Sequence, residues 1–319
     1  MKKLISLILT ACMLVMLLAA AAAPAMAEET EEENYDTGDA SLDKPRNDDN
    51  IGEKELLVVS FGTSYNESRC IDIGSIEEAM EEAFPDWSVR RAFTSQIVID
   101  HILKRDGEKI DNVTEALDRA ANNGVKTLVV QPTHLMHGYE YNDLRNELAE
   151  YADAFDKIVL AEPLLNSDAD FENVAETIQF VGSYFEDGET AICLMGHGTE
   201  AESNSVYSFM QEVFSMSGFD DYFVGTVEAK PSVEDVLKKV QAGSYKRVVL
   251  LPLMVVAGDH AHNDMAGDGE DSWKSIFEAA GYEVECVLSG LGEYPPVCDI
   301  YVQHTREAMA DAGIKVIFR

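Results

Sequence analysis

Basic residues are scarce in this chain of 319 residues, which has 24 Lys+Arg against 59 Asp+Glu and a formal charge of −35. Such a polyanion does not suit nucleic acid, because phosphate binding needs clustered Lys and Arg to release counterions. Anionic membrane surfaces are disfavoured for the same reason. Cysteine is sparse as well: Cys12 falls in the N-terminal apolar run, and Cys70, Cys193, Cys286 and Cys298 form neither a CxxC pair nor a metal-finger spacing. Cys193 and Cys286 lie inside apolar strand-like runs and read as buried free thiols. A G-x-S-x-G elbow and a P-loop Lys are both lacking, so a serine hydrolase or a nucleotide enzyme is weakly supported and no nucleotide is expected.

Apolar residues make up 46% of the chain, enough for one large or two ordinary domains. Lys2 and Lys3 precede an apolar run from Leu4 to about Ala23, and Ala25-Met26-Ala27 supplies the small residues a signal peptidase reads. Residues 1–27 are therefore expected to be a signal peptide, with the mature chain starting at Glu28 in a periplasmic or other extracytoplasmic setting. Residues 28–50 hold ten acids against Lys44 and Arg46 and read as an acidic disordered spacer. The body from residue 51 still carries 49 acids and 20 bases, net −29.

Short apolar runs then alternate with amphipathic stretches. Leu56–Ser60, Thr127–Val130, Ile158–Ala161, Ala191–Met195, Phe223–Val227, Val248–Val256 and Val284–Leu288 are apolar without polar alternation, as strands buried on both faces are. Helical patterns cover Ile73–Phe84, Asn112–Ala121, Asn142–Ala154, Phe171–Tyr184, Val233–Val240 and Trp273–Ala280. This alternation predicts an α/β fold with parallel sheets. A weak repeat adds detail: Leu57–Thr63 matches Ile192–Thr199, each a buried run ending in a Gly-Thr turn, and Lys126–Pro132 matches Lys246–Pro252. Two similar Rossmann-like α/β halves are expected, 51–185 and 186–319. Their functional rim lies at the carboxyl ends of the strands, where loops 60–64, 132–138, 196–199 and 258–264 gather.

The chemistry-bearing residues cluster on that rim. His197, flanked by Gly196 and Gly198, follows one buried run; Glu228 follows the next; His260 and His262 follow the strongest. A His-x-His pair in an extended segment points to opposite faces, so at most one of the two shares a site with His197. Two imidazoles and a carboxylate make a ligand set for Co²⁺, Ni²⁺, Fe²⁺ or Zn²⁺ with open coordination positions. His134 and His137 follow the equivalent strand of the first half and are candidates for contact with substrate or a second metal, although a hydrogen-bonded, partly buried histidine is the commoner reading. His101 and His304 read as helix-surface residues. The stretch Ser60-Phe61-Gly62-Thr63-Ser64 is a candidate nucleophile loop or anion cradle.

From Leu56 to Ala310 the chain resembles the anaerobic, ATP-independent (class II, CbiK-type) sirohydrochlorin cobaltochelatases, small relatives of the ferrochelatases. The resemblance rests on Ser60-Phe61-Gly62-Thr63-Ser64, Arg91-Ala92-Phe93-Thr94-Ser95, Met195-Gly196-His197-Gly198, Val227-Glu228, the stretch Pro252–Ala266, Asp271-Ser272-Trp273-Lys274 and Leu288–Glu293. It implies two chelatase-type α/β halves with the active site in a cleft between them, and a metal held by His197, Glu228 and His260. It also implies Co²⁺ insertion into sirohydrochlorin without ATP, in cobalamin-type tetrapyrrole synthesis, with His197 as ligand and general base. Ser60, Phe61, Gly62, Thr63, Arg91 and His134 are the expected substrate contacts. Sirohydrochlorin is itself a polyanion, so Arg69, Arg90, Arg91 and Lys230 are the expected compensating cations, with Arg91 preferred. The alternative is an extracytoplasmic haem, tetrapyrrole or metal carrier on the same scaffold. No nucleic-acid partner is expected, and nothing in the pattern encodes or excludes a homo-oligomer.

Overall fold

The computed structural model describes residues 38–315. The expected signal peptide and residues 28–37 of the acidic stretch lie outside the described residues. Among the described residues, eight strands form two four-stranded parallel sheets, β2-β1-β3-β4 and β6-β5-β7-β8. The first comprises β1 (Lys54–Ser60), β2 (Ser88–Phe93), β3 (Thr127–Pro132) and β4 (Lys157–Leu160). The second comprises β5 (Thr190–Gly196), β6 (Tyr222–Thr226), β7 (Arg247–Pro252) and β8 (Glu283–Cys286). The two orders are the same permutation, which is the structural content of the sequence repeat. The strand at Ser88–Phe93 escaped the sequence reading because its centre, Arg90-Arg91, is charged.

The helices are α1 (Gly74–Ala83), α2 (Gln96–Asp106), α3 (Val113–Asn122), α4 (Tyr139–Glu150), α5 (Asp168–Gly182), α6 (Ser205–Met216), α7 (Val233–Ala242), α8 (Trp273–Ala279) and α9 (Pro295–Asp311). Ends follow local chemistry. Asn112 and Glu115 close a capping box on α3, Ser167 and Asp170 close one on α5, and Gly107 ends α2 in the left-handed region at φ +72°.

Alternate strand residues serve different layers, so both faces of each sheet are covered. Leu57 and Val59 of β1 pack under α3 and α4, and Cys193 and Met195 of β5 pack under α7 and α8. Leu56 and Val58, with Ile192 and Leu194, join one core shared by both sheets, filled by Met80, Val174, Met210 and Tyr301 from α1, α5, α6 and α9. Helix α9, late in the chain, packs on α1, α5 and β3 of the first half. His304 is therefore not the surface residue expected: it is 5% exposed, with Nε2 3.3 Å from Asp170.

The spacer reading is corrected for residues 38–50, which pack on the body. Asp43 is buried and accepts hydrogen bonds from Arg69 Nε at 2.7 Å and from Arg91 at 2.5 and 2.9 Å. Arg46 donates to Glu77 and Glu81 of α1 at 2.7 and 2.9 Å. Acidic composition argues for solvation only while the acids lack partners, and here buried arginines supply them.

Candidate metal centre

Three neighbouring strands, β6-β5-β7, deliver the chemistry from their carboxyl ends. His197 follows β5 directly, Glu228 lies two residues beyond β6, and β7 leads through residues 253–259 to His260, which starts a helical turn over Ala261–Met265. The β5–β6 pairing continues past the strand ends. Val227 N–H donates to Gly196 O and Glu228 N–H donates to His197 O, each at 2.9 Å. The main chains carrying two of the side chains are thus bonded to each other.

The rings of His197 and His260 meet edge to face, with centroids 4.5 Å apart and planes at 83°. His197 Nδ1 stands 3.8 Å from Glu228 Oε2, and one ligand atom from each of His197, Glu228 and His260 lies within 4.8 Å of the other two. Bonds of ~2.0–2.2 Å to one ion would separate such atoms by roughly 3–3.5 Å, a difference that side-chain rotation closes.

Both imidazoles have one nitrogen already engaged. His197 Nδ1 lies 2.8 Å from the carbonyl of Gly198, which only accepts, so Nδ1 carries the proton and Nε2 presents a lone pair. His260 Nδ1 lies 2.7 Å from Asp264 Oδ2, so its Nε2 is left free in the same way, and the arrangement is the carboxylate–histidine pairing typical of metal sites. Asp264 was not singled out as functional in the sequence reading. Its signal was the i, i+4 spacing from His260 at the start of a helical turn. The side chains of His197, Glu228 and His260 are 47, 55 and 33% exposed, so the set opens outward with room for further ligands.

His262 does not join this set. Its ring stacks on Tyr65 of the first half, with centroids 4.2 Å apart and planes at 10°, and burial lowers its pKa. The first-half rim therefore meets the second beside the candidate centre. Thr63 is buried, and its Oγ1 accepts Tyr65 N–H and faces Gly258, where an added Cβ would lie 3.2 Å away. Gly62 sits at φ +99° against the Phe93 ring. Phe61 is half-exposed, whereas Ser60 is buried and accepts a hydrogen bond from Thr133 at 2.7 Å. His134 is 9% exposed; neither ring nitrogen makes a hydrogen bond, and Nε2 is 3.4 Å from the Glu140 carboxylate. His137 instead pairs with Glu162 at 2.6 Å.

Arg91 is the clearest correction. Its guanidinium is buried and held by four hydrogen bonds to Asp43 and Glu77, so its charge is already matched by carboxylates inside the protein and it is closed to a substrate carboxylate. Arg69 and Arg90 are likewise buried and engaged, by Asp43 and by the Arg46 and Asp48 carbonyls. Of the four expected cations Lys230 remains exposed, two residues from Glu228, with Nζ 2.9 Å from Asp235. Cys193 is buried as expected, whereas Cys286 is only partly so.

Residues 54–310 match the family model described as Cobalt chelatase (CbiK). The chain is 35% identical over 257 residues to the sirohydrochlorin cobaltochelatase of Salmonella typhimurium, covering 81% of this chain and 97% of that one. It is 30% identical over 275 residues to sirohydrochlorin cobaltochelatase CbiKC of Nitratidesulfovibrio vulgaris, covering 85% and 96%. Among solved structures, SirB from Bacillus subtilis with Fe³⁺ superposes with a TM-score of 0.59 at 11% identity, over 83% of this chain and all of that one. The sirohydrochlorin chelatase SirB from Bacillus subtilis subspecies spizizenii in complex with cobalt gives 0.57 at 12% identity, over 82% and 98%. At those identities the likeness is one of fold.

Proposed function

The chain belongs to the CbiK cobalt chelatase family, and from that premise we propose that it inserts Co²⁺ into sirohydrochlorin, with His197, Glu228 and His260 receiving the ion. The observation that carries the assignment of the site is the convergence of these three side chains, from three adjacent strand ends, with both imidazole Nε2 atoms unengaged. The metal is substrate, so its site must bind and release; an exposed set of two neutral nitrogens and one carboxylate suits this better than a closed four-ligand cage.

Metal insertion exchanges one divalent ion for two pyrrole N–H protons. Glu228 balances charge while the ion waits, and the ion then passes to the macrocycle nitrogens. The Nε2 lone pair of His197, freed as the ion leaves, is placed to take up one of the two displaced protons, and the other passes to water. The halves 51–185 and 186–319 would flank the macrocycle, with Phe61 offering an apolar contact, Lys230 a charge for a propionate or acetate arm, and Ser60, Gly62, Thr63 and His134 shaping the rim behind Phe61. No step calls for a nucleotide. The leader at Lys2-Lys3 and Ala25-Met26-Ala27 supports an exported enzyme whose mature chain begins at Glu28; N-terminal sequencing from the native host that returned Met1 would refute this.

The functional test incubates the mature protein with sirohydrochlorin and Co²⁺ and follows the visible spectrum. Many equivalents of product are expected per enzyme, with at least a hundredfold loss in His197→Ala. A spectral change that stops at one equivalent would instead identify a carrier, and normal turnover by His197→Ala would sink the assigned site.

A further inference from the structure

Ala257, three residues before His260, has both of its main-chain polar groups held by side chains of the first half. Its N–H donates to Asp72 Oδ2 at 2.8 Å, and its carbonyl accepts from Ser68 Oγ at 2.6 Å. Ser68 and Asp72 lie four residues apart on the helical stretch that runs from Asn66 to Ile73, and are therefore on one face of it. Asp72 also accepts the N–H of Gly290, whose Cα packs against the same carboxylate so closely that an added Cβ would lie 2.5 Å from Oδ2. Ser68, Asp72 and Ala257 are all buried.

Burial is costly for this carboxyl. Removal from water pushes its pKa up to about 7, the N–H of Ala257 pulls it down, and the nearby Glu293, Glu67 and the N–H of Gly290 add smaller effects. The proposed metal chemistry does not use Asp72, and among the described residues no basic side chain pairs with it. What it holds is main chain on two loops of the other half, and one of those loops carries a ligand. The turn that carries His260 is anchored in its own half by the buried Ala261 and Met265 and across the halves by the stack of His262 on Tyr65, and the His260 ring is oriented by Asp264 of that same turn. The Ala257 peptide is where the first half holds the segment leading into it.

We propose that Ser68 and Asp72 are positioning residues for the metal centre, clamping the Ala257 peptide so that His260 is held opposite His197 and Glu228. This rests on the reading of His197, Glu228 and His260 as the metal-receiving set. It makes the first half a working part of a site whose ligands all come from the second.

The test uses the full mature protein and Co²⁺ alone, reading the dissociation constant by calorimetry and the visible d–d bands of the bound ion. Asp72→Ala is expected to weaken Co²⁺ about tenfold and to shift or weaken those bands, as loss of a supporting group around a metal site does. Asp72→Asn keeps an acceptor oxygen for Ala257 and Gly290 and should restore affinity to within about twofold with the parent spectrum. Ser68→Ala removes one donor from a neutral bond and should weaken Co²⁺ by roughly threefold to tenfold; it stands in if Asp72→Ala does not fold. His260→Ala separates the two claims. If it leaves Co²⁺ binding unchanged, the metal-site reading fails. If it abolishes binding while Asp72→Ala and Ser68→Ala both match the parent in affinity and spectrum, the clamp is overturned.

Discussion

Adding one methyl group at Gly198 should disable the metal centre from behind. The residue sits at φ +89°, where an L-residue is strained, and a Cβ there would lie 2.8 Å from the main-chain nitrogen of Ala229 and 2.9 Å from its Cβ. Backbone cannot swing aside as a long side chain can. The conformational penalty is about 1–2 kcal/mol and the overpacking adds about 1–3 kcal/mol. Ala229 follows Glu228, the Gly198 carbonyl fixes His197 Nδ1, and the His197 carbonyl takes the Glu228 N–H, so relief of the clash displaces two of the proposed ligands together. Gly198→Ala is therefore expected to lower Tm by ~5–10 °C and to weaken Co²⁺ at least tenfold. Gly188 is the matched control: it has φ +81°, but nothing lies within 4 Å of its added Cβ. Gly188→Ala should cost only the conformational part, about 1–2 kcal/mol, with Co²⁺ affinity unchanged. Scanning calorimetry and Co²⁺ titration of both variants decide the matter. Parent-like Co²⁺ affinity in Gly198→Ala, or equal losses in the two variants, would refute the reasoning.

Two further outcomes concern buried charge. Burial raises the pKa of Asp43, but the Arg91 and Arg69 guanidiniums pull it below the ordinary carboxylate value, so its stabilising contribution is present above about pH 4 and is lost as pH falls through the lowered folded-state pKa. Asp43→Ala should lower stability at pH 7 by about 3–5 kcal/mol, read from urea midpoints, because it leaves two buried guanidiniums short of a partner; an unchanged midpoint would show that residues 38–50 do not dock as described. Burial pushes Glu55 up to about 7 from 4.5, and its Oε2 has no hydrogen bond. The unfolded chain then releases its proton near pH 4.5 while the folded one holds it to about 7, so stability falls as pH rises across that window and levels off above it. Glu55→Gln should match the parent near pH 4.5 and exceed it at pH 8 by up to about 3 kcal/mol, the size of that window at 1.36 kcal/mol per pKa unit. A constant difference between the two proteins from pH 4.5 to 8 would contradict the assignment.

Much of the architecture was legible because buried parallel strands leave a strong local mark. Apolar runs such as Leu56–Ser60 and Ala191–Met195 need no partner to be recognised, and their Gly-Thr endings showed the repeat that became two identical strand orders. The strand at Ser88–Phe93 was hidden because Arg90 and Arg91 read as solvent-facing, and nothing nearby in the chain says that Asp43 and Glu77 will cover Arg91. The same blindness made Arg91 look like a substrate cation and residues 38–50 look like a free spacer. His304 was misplaced for a related reason, since which face of α9 is buried depends on a half of the molecule laid down more than a hundred residues earlier.

What the sequence determined by itself is the chemistry on offer: a parallel α/β repeat, His197 beside glycines, Glu228 and His260 past successive strands, and an acidic chain with few basic residues. These follow from short-range patterns of hydrophobicity, glycine and residue type. Only the tertiary structure decided the rest. It placed three strand ends side by side, engaged both Nδ1 atoms through Gly198 and Asp264 so that each Nε2 is left unengaged, and consumed Arg69, Arg90 and Arg91 in buried contacts. It also reached across 185 positions of chain to clamp Ala257 with Asp72. Those outcomes depend on long-range packing, where burial forces each charge and each peptide group to find a partner, and no local pattern records which partner it will be.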